Sequence, residues 1–402
     1  MSILQKISQQ TFWQILGKVV TSISTFIILG LVTRNYGKEG TGVFTLTLTY
    51  LAIFYMLADF GFNAHILKQV QSSKFKIQNE WKKLLGTRIM WAVLLIVLAV
   101  GLLPFLPFAG VTFSQSVWFG VLAVLGSSVY VTCNLIFQSK LRYDLSVLAS
   151  SIGTLISLLF FWFLITLHYP ISYLLIAHFV GWVTISLTAL LLVSRFFQSV
   201  FPIYNIRYTI YLFRDSWPIA ATLALNVIYF RADAFLIAYF KNNADVGLYN
   251  VAYSVFQSAL VLPAFIMNSY YPLMLKSLEK IKQVALGLLG LSMAGTLLTL
   301  ILAPFIIGVL TGGGFDGSTQ SLKILSLGFP AYFLSALLMW VLITKGKYKS
   351  MFTIYTSGFV LNIALNFLFI PQYSFVAASW ITVVSEYFIL SLQVMVLLLR
   401  KK

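Results

Sequence analysis

Five charged residues stand inside stretches that are otherwise apolar: Lys18, Asp59, Arg231, Asp233 and Glu386. A charge at the centre of a bilayer costs roughly 2.5–3.5 kcal/mol on insertion scales, so each is a candidate for function. Arginine hardly ever gives up its proton, so Arg231 must meet water or an anion. An internal carboxylate such as Glu386 or a substrate phosphate would serve. Arg231 and Asp233 are two residues apart on one helix and point to nearly opposite faces. Asp59 lies near the end of its helix, where a carboxylate is disfavoured unless paired. Lys18 sits at similar depth on the preceding helix, so a structural Lys18–Asp59 ion pair competes with a substrate role for either.

Uncharged polar residues form stripes beside these charges. Gln14, Lys18, Thr21, Ser22 and Thr25 follow helical spacing, a face expected to look into a cavity or a neighbouring helix. Tyr55 and Asn63 flank Asp59, and Asn226 and Tyr229 share the Asp233 face. Asn250, Ser254 and Gln257 form a third stripe, with Tyr253 beside it. Asn362 and Asn366, one turn apart, are expected to hold helices together. His65, His168 and His178 lack partners at metal-ligand spacing. No nucleophile–base pair, glycine-rich phosphate loop or cofactor motif is present. Catalytic, metal and cofactor residues are therefore not assigned.

These residues must be positioned by membrane helices. Hydrophobic residues make up 60% of the 402-residue chain and charged ones 9%, against roughly a quarter charged in soluble proteins. Apolar runs predict twelve spans, near 11–33, 42–64, 88–108, 116–138, 145–167, 171–194, 216–240, 246–270, 284–310, 321–343, 350–371 and 375–398. A shift of 205 positions lays the first six on the second six. It places "YGKEGTGVF" (Tyr36 to Phe44) on "KNNADVGLY" (Lys241 to Tyr249), and Gly153 on Gly358. Such a repeat marks a transporter whose halves move against each other. The chain reads as an all-α integral membrane protein of two six-helix lobes, 1–198 and 216–402. The basic amphipathic linker 199–215 joins them along the inner membrane surface. Pro263 and Pro330 are expected to kink their spans, and "TGGGFDGSTQ" (Thr311 to Gln320) to form a flexible outer loop.

The net charge of +17 does not imply nucleic acid. With the N-terminus inside, inner segments hold 21 of the 27 basic residues and outer loops four. This positive-inside bias puts both termini in the cytoplasm and attracts anionic lipid. The first span reads as a retained helix rather than a signal peptide. The single cysteine, Cys133, excludes a disulfide framework.

Three segments carry a family resemblance. "GLVTRNYGKEGTGVFTLTLTYLAIFYMLADFGFNAHIL" and "SWPIAATLALNVIYFRADAFLIAYFKNNADVGLYNVAYSVFQSALVLPAFIMNSYYPLM" resemble the two half-openings of polysaccharide-transport flippases. These are the Wzx type of the multidrug/oligosaccharidyl-lipid/polysaccharide exporter superfamily. "LNIALNFLFIPQYSFVAASWITVVSE" is similar to their late motif, departing from it at Ser374 and Ala377, where glycine is usual. The resemblance implies an alternating-access carrier of the bacterial or archaeal plasma membrane. It would move an undecaprenyl-pyrophosphate-linked oligosaccharide outward, alongside polysaccharide polymerase or export machinery. It further implies Lys18 and Arg231 as contacts for phosphates or acidic sugars, with Gln14, Asn250 and Gln257 lining the same cavity. Tyr55, Tyr229 and Tyr253 would stack on sugars, and Asp59, Asp233 or Glu386 would couple a cation gradient. A cation-coupled drug exporter of the same superfamily is the nearest alternative. An integral membrane glycan polymerase or transferase is the alternative from another class.

Overall fold

In a computed structural model the described backbone covers residues 3–71, 77–197, 200–274 and 277–398. Side chains of 3–11, 64, 68–71, 77–79, 222–230, 268–269 and 272–273 lie outside the description. The described chain is almost wholly helical, as expected where backbone groups must satisfy one another without water. The helices are α1 (Ile3–Asp59), α2 (Phe62–Gln71), α3 (Ile77–Gly101), α4 (Val111–Gly120), α5 (Ala123–Ser139), α6 (Tyr143–Thr166), α7 (Leu174–Ser194), α8 (Ile206–Phe240), α9 (Asn243–Ala259), α10 (Val261–Met274), α11 (Ile281–Thr311), α12 (Asp316–Ser326), α13 (Phe329–Thr344) and α14 (Tyr348–Leu398). Among the described residues, 8 helices are long and apolar enough to cross a membrane, or 9 if the bent pair α12–α13 counts as one span. The protein is thus an all-α, multi-pass membrane protein.

The chain divides into two compact units, Met1–Tyr36 with Val43–Arg231, and Gly37–Gly42 with Ala232–Lys402. In the first unit α7 packs against α4, α5 and α6, and α3 packs against α5. Phe62, Trp81, Leu84, Ile136, Phe137 and Leu192 belong to its core, and the Trp81 indole donates to the Thr132 carbonyl at 2.9 Å. The segment expected to be a surface linker is in part built into this unit. The Ile203 amide donates to Lys82 O at 3.0 Å, and Thr87 and Thr209 share a 2.8 Å hydrogen bond. Phe213 lies against Phe60, Phe62 and Trp91. Ile206, Arg207, Ile210, Arg214 and Trp217 remain exposed on the other side of α8.

In the second unit α13 packs on α14, α12 on α9 and α14, and α11 on α12 and α13. Residues matched by the repeat make similar contacts in the two halves. A Cβ on Gly153 would stand 2.2 Å from Ile185 Cγ1, and one on Gly358 would stand 2.6 Å from Ile389 Cγ1. Close helix packing therefore needs glycine at both places. Tyr130 bonds Ser146 at 2.9 Å and also engages Ser150, while Tyr355 bonds Ser335. Positions 130 and 335 match under the repeat, as do 150 and 355. The tyrosine–serine pair is the same in each half with the partners exchanged.

The outer loop expected over 311–320 is shorter than that. Thr311 ends α11, Asp316 starts α12 and Phe315 is buried, so only the three glycines at positive φ and Phe315 lie between the helices. The chain bends 44° between α12 and α13, where Pro330 takes the first turn of the new helix. Pro263 likewise falls in the first turn of α10. Ser374 breaks α14 at φ 52, ψ −136, a conformation that glycine alone adopts easily. Its hydroxyl donates to Asp245 Oδ2 at 2.5 Å, which holds the strained corner. Ser374→Ala keeps the strain and loses the bond, so it is expected to lower stability by about 1 kcal/mol. Ser374→Gly loses the bond but relieves the strain and should stay near wild type. Thermal melting of the detergent-purified protein separates the two.

Candidate functional site

α1 stops at Asp59, and the chain turns through Phe60 and Gly61 at φ 48 and 71 into α2. Gly61 is required twice over, because its φ is left-handed and a Cβ would stand 2.4 Å from Ile219 Cγ2. The partner of Asp59 is Arg88, not Lys18. Arg88 Nη2 donates to Asp59 Oδ1 at 2.8 Å and to the Asp59 carbonyl at 3.2 Å. Nη1 reaches Thr132 Oγ1 at 3.5 Å, and the guanidinium lies over the Phe62 ring at 5.6 Å. Lys18 is level with Asp59 by its position along α1, but equal depth does not choose between neighbouring helices. Arg88 is wholly buried on α3, where it neutralises the carboxylate and caps the free carbonyl of the α1 terminus.

Lys18 and Gln14 are exposed on α1. The hydroxyls of Thr21 and Thr25 bond back to carbonyls of their own helix, so that part of the stripe is satisfied locally. Gly17 packs on Val147 of α6, with 2.8 Å between its would-be Cβ and Cγ2. Lys18 is thus one residue from the contact of α1 with α6. Further along the unit the Tyr55 hydroxyl meets His178 Nε2 at 2.8 Å, and the Trp182 indole donates to the same nitrogen at 3.2 Å. An indole N–H can only donate, which assigns Nε2 as the acceptor and Nδ1 as the protonated nitrogen. The Tyr55 and Trp182 rings are 5.5 Å apart, and those of Tyr130 and Trp182 6.2 Å.

Asp233 is the centre of a buried network in the second unit. Tyr249 and Thr382 donate to Oδ2 at 2.7 and 3.0 Å, and Asn366 Nδ2 donates to Oδ1 at 2.7 Å. Asn366 also donates to Asn362 Oδ1 at 2.9 Å, and Asn362 donates to Ser385 at 3.3 Å. Asn366 Oδ1 is buried without a hydrogen-bond partner among the described residues. A carboxylate, two amide oxygens and two hydroxyls, from α8, α9 and α14, thus converge. Oxygen donors of this kind suit protons and hard cations. The two asparagines do join helices, as the sequence suggests, and they do so at the carboxylate.

The other candidates are spread more widely. Asn250 and Tyr253 are buried on α9, with Tyr253 stacked on Tyr249 at 5.5 Å and packed on Phe256. Gln257 is exposed, Arg231 is half-buried at the end of the first unit, and Glu386 is buried on α14. Asn226 and Tyr229 lie outside the described side chains. Sequence reasoning missed Arg88, His178 and Trp182. His178 and Trp182 are one helical turn apart, a visible pairing, but Tyr55 is 123 positions away from His178.

A family model described as polysaccharide biosynthesis protein matches residues 7–278. No curated protein sequence matches the chain. Among solved structures, the lipid II flippase MurJ in an inward closed conformation is similar at 15% identity and a TM-score of 0.74, over 95% of this chain and 87% of that one. A multidrug resistance MATE family transporter of the MOP superfamily, inward-facing, is similar at 11% identity and a TM-score of 0.71, over 93% of each chain. A mutant of the Vibrio cholerae MATE transporter VcmN is similar at 16% identity and a TM-score of 0.63, over 99% of this chain and 97% of that one. At these identities the likeness is one of fold.

Proposed function

We propose, since this chain belongs to the polysaccharide biosynthesis protein family, that it is a transporter and not an enzyme. Its cargo is an undecaprenyl-pyrophosphate-linked oligosaccharide, moved from the cytoplasmic to the outer leaflet of a bacterial or archaeal plasma membrane by alternating access. Anionic lipids surround it, and both termini are cytoplasmic. Twelve crossings follow if α1 and α14 each cross twice. The 48 residues from Phe12 to Asp59 would extend about 72 Å if straight, more than two hydrocarbon cores. Gly37 and Ser374 break these helices near their middles.

The observation that carries the reading is Lys18, a cation exposed on the apolar helix α1, one residue from the contact of that helix with α6. A cation so placed suits a sugar pyrophosphate. Arg231 is the second anion contact. Asp233 is the coupling carboxylate, because three donors hold it ready to exchange a cation. Asp59 is not, since Arg88 already neutralises it. A drug–cation exporter is the second reading, supported by the fold it shares with MATE transporters, but Lys18 would repel a cationic drug.

Lys18→Ala is expected to slow flipping of a labelled lipid-linked oligosaccharide in proteoliposomes by about 10–100-fold, the worth of one charge-assisted hydrogen bond. Lys18→Arg should retain most of the rate. Equal rates for wild type and Lys18→Ala would refute the assignment.

A further inference from the structure

We propose that Tyr55, Tyr130 and Trp182, with His178 between them, form a carbohydrate subsite in the first unit that seats one uncharged pyranose ring. The proposal rests on the flippase reading and names the part of the cargo that this unit recognises.

The three aromatic residues come from α1, α5 and α7, and their rings gather around Trp182 at 5.5 and 6.2 Å. All three and His178 are half-buried, unlike the core aromatics Phe62 and Trp81, which are sealed. Tyrosine and tryptophan offer a broad apolar face with a polar edge at little entropic cost. The C–H face of a pyranose has the matching character: apolar on the flat, hydroxylated at the rim.

The polar edges point the same way. Tyr55 Oη and Trp182 Nε1 both approach His178 Nε2, at 2.8 and 3.2 Å. A neutral imidazole nitrogen has one lone pair, so two donors share one acceptor and one donor can turn to a ligand oxygen at small cost. Close by, Asn134 follows Tyr130 by one helical turn and its Oδ1 is buried with no partner among the described residues. Asn63 donates to Val131 O at 2.9 Å and its Oδ1 is orphaned too. Spare donors and spare acceptors beside an aromatic face are what a sugar rim can satisfy. Among the described residues the ring cluster itself holds no carboxylate or cation, and the nearby Asp59 and Arg88 neutralise each other, which suits an uncharged sugar. In the flippase reading the charged pyrophosphate instead meets Lys18, exposed on α1.

The test uses the intact chain in lipid nanodiscs and two probes, undecaprenyl pyrophosphate and the same lipid carrying one glucose. Wild type is expected to bind the glycosylated probe about 10-fold more tightly. Trp182→Ala should bring the two affinities within about twofold of each other, a loss of most of a tenfold discrimination. Lys18→Ala should weaken both probes and keep their ratio. If Trp182→Ala does not fold, Tyr55→Leu and Tyr130→Leu serve in its place. A preference that survives those changes overturns the subsite. Equal wild-type affinities overturn it while leaving the flippase reading intact. Failure of wild type to bind either probe overturns both.

Discussion

Asp59→Ala is expected to destabilise the protein by about 3–5 kcal/mol, the usual cost of leaving a buried charge without its partner. It should cost more than Arg88→Ala. The Arg88 side chain is 0% exposed and that of Asp59 35%, so a lone Arg88 cannot reach water, whereas a lone Asp59 can be partly hydrated. Asp59→Asn retains an acceptor for Arg88 Nη2 and should fall between the two. The double change Asp59→Leu/Arg88→Leu should recover much of the loss, because a buried ion pair is often replaceable by apolar groups. Thermal melting and the yield of folded protein read out the series. Additive single and double effects would show that the pair does not act as a unit. Pairing of Asp59 with Lys18 would instead make Lys18→Ala the damaging change.

Asp233→Asn is expected to abolish the response of transport to an imposed cation gradient while leaving the fold nearly intact. The new amide can accept from Tyr249 and Thr382 through its oxygen. Its NH2 would face the Asn366 NH2, but the Asn366 amide can rotate to present its oxygen if Asn362, to which Asn366 also donates, turns with it and accepts from Ser385. The net change in stability should stay within about 1 kcal/mol. Asp233→Ala removes the shared acceptor. Thr382 keeps the Ala378 carbonyl at 2.9 Å and Tyr249 can turn to Thr382 at 3.3 Å. One buried Asn366 N–H is stranded, at about 1–3 kcal/mol, so this variant should be less stable than Asp233→Asn. Melting curves together with flipping rates under a sodium or proton gradient distinguish a coupling role from a structural one. A full gradient response in Asp233→Asn would remove Asp233 from the coupling step.

Much of the helical scaffold was legible because hydrophobic length and a 205-position repeat are properties of the chain itself. Gly153 and Gly358, matched in sequence, make the same close contact in each half. Asp233 was legible as a charge where apolar residues were needed, and Asn362 and Asn366 as polar links between helices. Side-chain partners were not. Arg88 looked like part of a basic inner segment, since counting positive charges by loop cannot see a helix that begins earlier and draws its arginine inside. Tyr55 and His178 belong to helices far apart in sequence, and nothing in spacing joins them. The chain between 199 and 215 has amphipathic composition, yet Thr209 and Phe213 pack on Thr87 and Trp91 of α3, partners that spacing along the chain does not reveal. The glycine-rich stretch near 312 suggested a long loop, but Phe315 is buried and the next helix starts at once. At Ser374 a side chain stands where the backbone favours glycine, and Asp245 supplies the compensating bond.

Leaflet accessibility of a fluorescent undecaprenyl-pyrophosphate-linked oligosaccharide in proteoliposomes tests the transport claim most directly. With the protein present and a cation gradient imposed, quencher added outside should reach the inner-leaflet pool far faster than in protein-free vesicles. Asp233→Asn should return the rate to its value without a gradient. No acceleration by the wild-type protein, with or without a gradient, would contradict the proposed flippase function.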